Sequence, residues 1–184
     1  MIVDVSDQFT GAFLKARFAN KFFSEDKKLY PLGNILAFKA GVSFVIDQTQ
    51  FVSEDAINFC IELPGRDRFT TAAIHKIFNA GIGSILGSKY LNAPVEIDAN
   101  KILVNKEFQS SGVTLNQGKV SFSASSLVNG AGLCYTGINI KAGKSAPAIA
   151  YSSNLTDAQC QAFMGDCINM FYGTMNELFL ESVK

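Results

Sequence analysis

Residues 117–126, QGKVSFSASS, alternate with period two: Val120, Phe122 and Ala124 fall on one face of a strand, and Lys119, Ser121, Ser123 and Ser125 on the other. The first face reads as core. The second carries one ammonium and a row of small hydroxyls where a plain solvent face would carry bulkier residues, which makes it a candidate wall of a binding site. Upstream, Leu14, Phe18 and Phe22 recur every four residues and predict an amphipathic helix over 10–23, behind a short strand at 2–5. Residues 35–46 read as one bent strand or a hairpin around Gly41, and residues 56–63 as a strand ended by Pro64-Gly65. A helix capped by Thr70 or Thr71 passes through Ile74, Ile77 and Phe78 and leaves at 79–81. From Pro94 the pattern is an antiparallel meander of short strands: PVEI, KILV, GVTL, KVSFSA, GLCYTGINI and APAIAY. The chain closes with a helix opened by the capping box Thr156-Asp157-Ala158-Gln159 and striped by Phe163, Cys167, Met170, Phe171 and Leu178. This order predicts an α+β fold, a mainly antiparallel sheet with helices packed on one face, over residues 1–184 as one domain.

Composition narrows the function classes. Sixteen basic and 16 acidic residues give no net charge, so the footprint needed to track nucleic acid or an anionic membrane is missing, and neither is expected as a partner. The start, MIVDVSDQF, lacks a basic region followed by a long apolar run, and no apolar run approaches a membrane span, so the expected location is the cytoplasm. With 48% hydrophobic residues and 16 Phe there is ample material for a closed core. Cys60, Cys134, Cys160 and Cys167 contain no CxxC pair and have only His75 to join them, so they read as buried thiols and no metal is expected. The glycines of Gly81-Ile82-Gly83-Ser84-Ile85-Leu86-Gly87 follow a helical pattern instead of a strand and lack GxGxxG spacing, which points to a helix stop and turn in place of a phosphate loop.

The meander carries a resemblance. Asp98-Ala99-Asn100, the strand Ile102-Leu103-Val104, the strand Gly118-Lys119-Val120-Ser121 and the later Gly137-Ile138-Asn139-Ile140 resemble, in order and approximate spacing, the core of biotin and lipoate protein ligases. Over most of the chain, Phe9-Thr10-Gly11, residues 53–59 (SEDAINF), residues 119–124 (KVSFSA) and Gly137-Ile138-Asn139-Ile140 are similar to the prokaryotic domain-of-unknown-function family three-six-six, which shares that fold and lends no activity. The resemblance implies a biotin/lipoate ligase-like, class II synthetase-like fold. Lys119 would then be the lysine that meets an acyl carboxylate and a nucleotide phosphate, Ser121 and Ser123 would line the same wall, Gly137 and Asn139 would close its far side, and Asn100 would lie at the site. It also implies ATP as cofactor. Two departures stand out: Pro64-Gly65-Arg66-Asp67-Arg68 replaces the Gly-Arg-Gly-Arg loop of biotin ligases, and their Lys-Trp-Pro is absent before Asp98-Ala99-Asn100.

Chemically, one compact cation in a small-residue pocket suits a carboxylate or phosphate and the charge of an acyl-phosphate transition state. Arg66 and Arg68, ahead of a helix and beside Thr70 and Thr71, are a second candidate phosphate site; the alternative is an ordinary solvated pair bonded to Glu62 or Asp67. His75 has no triad partners at suitable spacing and receives no role. Two functions follow: binding of a small carboxylate or acyl-nucleotide, with acyl ligase or acyltransferase activity, or a non-catalytic member of the fold that binds a metabolite or assembles as a homo-oligomer.

Overall fold

Residues 56–63 are buried without a break, so the strand that holds them must have a core on each face. The computed structural model describes residues 1–3, 9, 11–22, 30–46, 48–98, 100–110 and 112–183. In chain order it has a 3-10 turn at Ala12–Leu14, the one-turn helix α1 (Ala19–Phe22), strands β1 (Asn34–Ile46) and β2 (Thr49–Pro64), and helix α2 (Arg68–Ile85) with a wide terminal turn at Leu86–Leu91. Short strands follow: β3 (Val95–Asp98), β4 (Lys101–Val104), β5 (Phe108–Ser110), β6 (Val113–Leu115) and β7 (Gly118–Lys119). Strands β8 (Ser121–Val128) and β9 (Ala131–Lys141) and helix α3 (Asp157–Ser182) complete the chain. The main sheet is antiparallel in the order β1-β2-β9-β8; β3-β4-β7 form a second sheet and β5-β6 a hairpin.

Alternation along the central strands divides the core. Ile57, Phe59, Ile61 and Leu63 of β2, with Cys134, Ile138 and Ile140 of β9, pack against Phe78 and Ile82 of α2 and Phe163 and Phe171 of α3. The intervening residues Ala56, Cys60, Leu133 and Tyr135 join Leu36, Phe38 and Phe122 against Phe9, Leu14 and Phe18. The N-terminal segment therefore covers the face that the helices leave open, through a ring cluster in which Phe9 lies 4.9 Å from Tyr135 and 5.4 Å from Phe38. The four cysteines are all buried thiols, as their apolar settings suggest.

The expected helix over 10–23 is broken by one side chain. Glu62, fully buried on the second face, accepts from Arg17 Nε at 2.8 Å and from the backbone N–H groups of Phe18 at 2.7 Å and Ala19 at 2.8 Å. Those two N–H groups open α1, so the carboxylate starts a new helix there in place of continuing an old one. The pairing of Glu62 with Arg66 or Arg68 considered from sequence gives way to Arg17. Residues 10 and 23, and most of the strand expected at 2–5, lie outside the described residues; Ile2 bridges Ala37.

Three further expectations change. Asp67, not Thr70 or Thr71, caps α2: its Oδ1 accepts Thr70 N–H and its Oδ2 the Thr70 hydroxyl, both at 2.8 Å. The helix also passes the stop expected at 79–81, because its glycines serve contact instead of termination. A Cβ on Gly83 would stand 2.6 Å from Ile97 Cδ1, and one on Gly87 2.7 Å from Val95 Cγ2, so both let β3 lie against the helix; Asn92, at φ 46°, ends the wide turn. Of APAIAY only Ala150 pairs, in a parallel bridge to Lys119. Residues 35–46 do form one strand, with a bulge between Ala40 and Val42, and the Thr156/Gln159 capping box opens α3 as expected. The α3 stripe buries Phe163, Cys167 and Phe171 but leaves Leu178 40% exposed.

Replacing Glu62 by Gln leaves a single oxygen, which can meet either Arg17 or the two helix-opening N–H groups but not both. We expect a loss of about 2–3 kcal/mol in urea unfolding, at the low end for a broken buried pair because Arg17 is partly solvated. A loss under ~1 kcal/mol would show that the aromatic cluster holds the N-terminal segment unaided.

Candidate functional site

Lys119 sits where the sheets meet. Its neighbours fix its backbone on both sides: it pairs with Leu103 of β4, donates its N–H to Ile149 O at 2.7 Å, and accepts from Tyr151 N–H at 2.9 Å. It is thus interior, not at an edge. One residue later the chain changes sheets, Val120 N–H donating to Ile102 O at 3.0 Å and its carbonyl accepting Asn139 N–H at 2.8 Å. That crossing shifts the alternation. Val120 packs beneath the helices, whereas Phe122 turns to the aromatic core on the other face, so the two do not share the single face that the alternation predicts. Ser121, Ser123 and Ser125 pair with Ile138, Thr136 and Cys134 and so share the helix-covered face.

The half-buried Lys119 side chain opens on a cavity of about 70 Å³ lined also by Phe51, Ser121, Phe122, Asn139 and Pro147. Among the described residues its ammonium has no ion-pair or hydrogen-bond partner, and burial, aided by the charge of Lys101, lowers its pKa. Ser121, itself buried, accepts Ile102 N–H at 2.8 Å and keeps its own hydroxyl proton to donate. Asn139 is 3% exposed; its backbone carbonyl accepts from Ser153 N–H and Oγ, but its side-chain Oδ1 is buried without a partner. Lys119, unpaired among the described residues, and Asn139 thus line one small cavity. Pro147 and Ala150 also border a larger cleft of about 650 Å³, walled by Glu54, Phe108, Lys144, Tyr151 and Asn154.

The remaining predicted residues lie elsewhere or act indirectly. Gly137 is directly across from Phe122, whose ring edge occupies the space a Cβ would need. Ser123 Oγ donates to the Asn100 carbonyl at 2.8 Å, and Asn100 borders a separate hollow of about 440 Å³ with Phe69, His75 and Ser125. Arg66 lines an apolar groove of about 320 Å³ between α2 and α3, with Phe69, Ile74 and Leu178, and Arg68 opens α2; neither lines the Lys119 cavity. Phe51 and Pro147 carry no local signal in the sequence; only the β1–β2 pairing and the path of residues 142–150 bring them to Lys119.

With this geometry in hand, the solved structures similar to this chain are informative. The fold is that of the biotin and lipoate protein ligases. A protein of unknown function from Pyrococcus horikoshi superposes with a TM-score of 0.77 at 14% identity, over 100% of this chain and 96% of that one. A biotin protein ligase from Aquifex aeolicus in complex with biotin and ATP gives 0.62 at 11% identity, covering 96% and 70%. A bipartite lipoate protein ligase from Thermoplasma acidophilum, solved with its E2 lipoyl domain, gives 0.58 at 7% identity, covering 94% and 82%. No protein-family model matches the chain, and no curated protein matches it significantly. No helix among the described residues is long and apolar enough to cross a membrane.

Beneath α2 lies a second buried polar group. His75 Nε2 lies 2.9 Å from Thr136 Oγ1, and that hydroxyl donates to Asn79 Oδ1 at 2.7 Å. The single Thr136 proton is therefore committed to Asn79, and His75 Nε2 must carry the hydrogen it donates. Burial pushes the imidazole pKa down to about 4, so it is neutral in the folded protein. The unfolded chain takes up this proton first, near 6.5. Stability is thus full above that pH and falls by about 3 kcal/mol as the pH drops toward 4. His75→Gln keeps an N–H for Thr136 and removes the titration, so the difference in unfolding free energy between wild type and variant should vary across pH 6.5 to 4. A constant difference would mean that His75 titrates alike in the folded and the unfolded chain.

Proposed function

We propose that this chain binds a small carboxylate, or the acyl end of an acyl-nucleotide, with Lys119 as the counter-ion. The observation that carries this reading is the half-buried Lys119 ammonium, which has no partner among the described residues and borders a cavity that Asn139 and Ser121 also line. Such a charge is costly to leave partly dry and unpaired, and a ligand carboxylate would satisfy it. Ser121 borders the same cavity, its Oγ accepting Ile102 N–H. The solved ligases of this fold with biotin, ATP or lipoate in their descriptions support the same class.

ATP fits these residues less well. The two cavities bring Lys119 and Lys144 against Glu54, a net charge of one, to meet the several charges of a triphosphate. Arg66 and Arg68 line neither, and Asp67 is spent on capping α2 through both oxygens. No adenylation step is therefore derived. The same helix cap favours the second reading, a member of the fold that binds a metabolite without activating it, because a capped helix start cannot close over a nucleotide as a free loop would.

A calorimetric panel of biotin, lipoate, short and long fatty acids and ATP tests the reading. Lys119→Ala should abolish carboxylate binding while shifting stability by no more than ~1 kcal/mol. Because the lysine must be charged to hold a carboxylate, affinity should be constant below its lowered pKa and fall as pH rises through it, with proton uptake on binding in that range. Binding that survives the substitution would remove Lys119 from the site.

A further inference from the structure

We infer that Phe122, seated over Gly137, limits the Lys119 cavity to short carboxylates of roughly two to four carbons, an inference that rests on the carboxylate reading above. The cavity of about 70 Å³ has room for a few water-sized groups and no more, so it takes a carboxylate head with a stub of chain. What closes it is identifiable. Phe122 and Phe51 both line it, their rings 6.0 Å apart in an edge-to-face contact. Phe122 can lie flat over β9 only because its partner in register is Gly137, where any Cβ would run into Phe122 Cε2. Behind it stands Tyr135, also 6.0 Å away, whose hydroxyl is committed to Asn58 Oδ1 at 2.7 Å.

The space beyond the ring is therefore sheet surface already filled by aromatic side chains, and a chain growing inward from the Lys119 carboxylate meets the Phe122 edge. Removing that ring would open the cavity along β9 toward Tyr135, since glycine offers nothing to refill it. The wall is thus set by a pair, a large residue on β8 and a missing side chain on β9. The Lys119 end is untouched by either.

Calorimetry with acetate, butyrate, octanoate and decanoate on the wild type, Phe122→Ala and Phe122→Leu tests the inference. Phe122→Leu is the milder change should the alanine variant fail to fold, which thermal unfolding reports. We expect the wild type to favour the two short acids over octanoate by about tenfold or more, and both variants to raise octanoate affinity by at least about tenfold, so that this preference is lost. Octanoate binding as tightly as butyrate to the wild type, or an unchanged preference in the folded variants, would overturn the role of Phe122 and leave the carboxylate reading standing. Absence of binding for every acid would instead overturn that reading, and this inference with it.

Discussion

Strand β2 has no solvent face, and the rest of the structure answers the need to cover both of its sides. A strand buried on both faces stabilises only if each side chain finds a layer to pack against. Helices α2 and α3 supply one layer and the N-terminal segment the other. The two covers differ in kind. Glycines at 83 and 87 let β3 lie against α2, and Phe78, Ile82, Phe163 and Phe171 pack on the main sheet. Among its described residues the N-terminal segment has one 3-10 turn and one helical turn and is held by aromatic rings, which bury area without fixing register. Glu62 provides the register: one buried carboxylate, three donors, and a defined place for residues 17–19.

The same two-sidedness creates the site. A strand leaving the small sheet to join the large one must pass its hydrogen bonds from one partner to the next, and Val120 is where this occurs. The residues on either side, Lys119 and Ser121, end up at the seam between β4, β9 and residues 149–151, where packing is incomplete and a cavity remains. The β1–β2 hairpin then contributes Phe51 from a distance in sequence. Position in the fold, more than local sequence, makes Lys119 unlike the other lysines.

Much of this was legible beforehand where local chemistry and long-range packing agree. The α3 capping box, the strand over 35–46 and the antiparallel meander needed only propensity and period. Where they disagree, the sequence misleads for reasons that can be named. The glycines at 81–87 look like a helix stop because a single chain cannot reveal that Met170, Ile97 and Val95 press on them. Leu14, Phe18 and Phe22 have helical spacing because they face a flat aromatic layer, while Glu62, forty-odd residues away, takes the backbone N–H groups that decide where the helix begins. In KVSFSA the period-two pattern is real, yet the change of sheet at Val120 reverses which face it addresses. Lys119, Ser121 and Asn139 are brought together at one cavity, whereas Ser123 and Asn100, chosen by the same resemblance, and the two arginines, chosen for their place ahead of a helix, lie at other surfaces.

Among the described residues, Glu62 and Lys119 are charged side chains drawn out of water in opposite surroundings. Glu62 is enclosed completely and met by a guanidinium and two backbone donors, so its desolvation is offset within the chain and its role is to hold the fold. Lys119 is enclosed in part and met by nothing among the described residues, with a second lysine raising the cost of its charge. Packing does not require an ammonium there; an apolar side chain of similar length would fill the seam without that penalty. On the facing strand the Asn139 backbone is bonded while its buried side-chain oxygen is not. The Glu62 charge is met entirely within the chain, whereas a half-buried ammonium bordering a cavity is best understood as awaiting a partner that the chain does not itself provide.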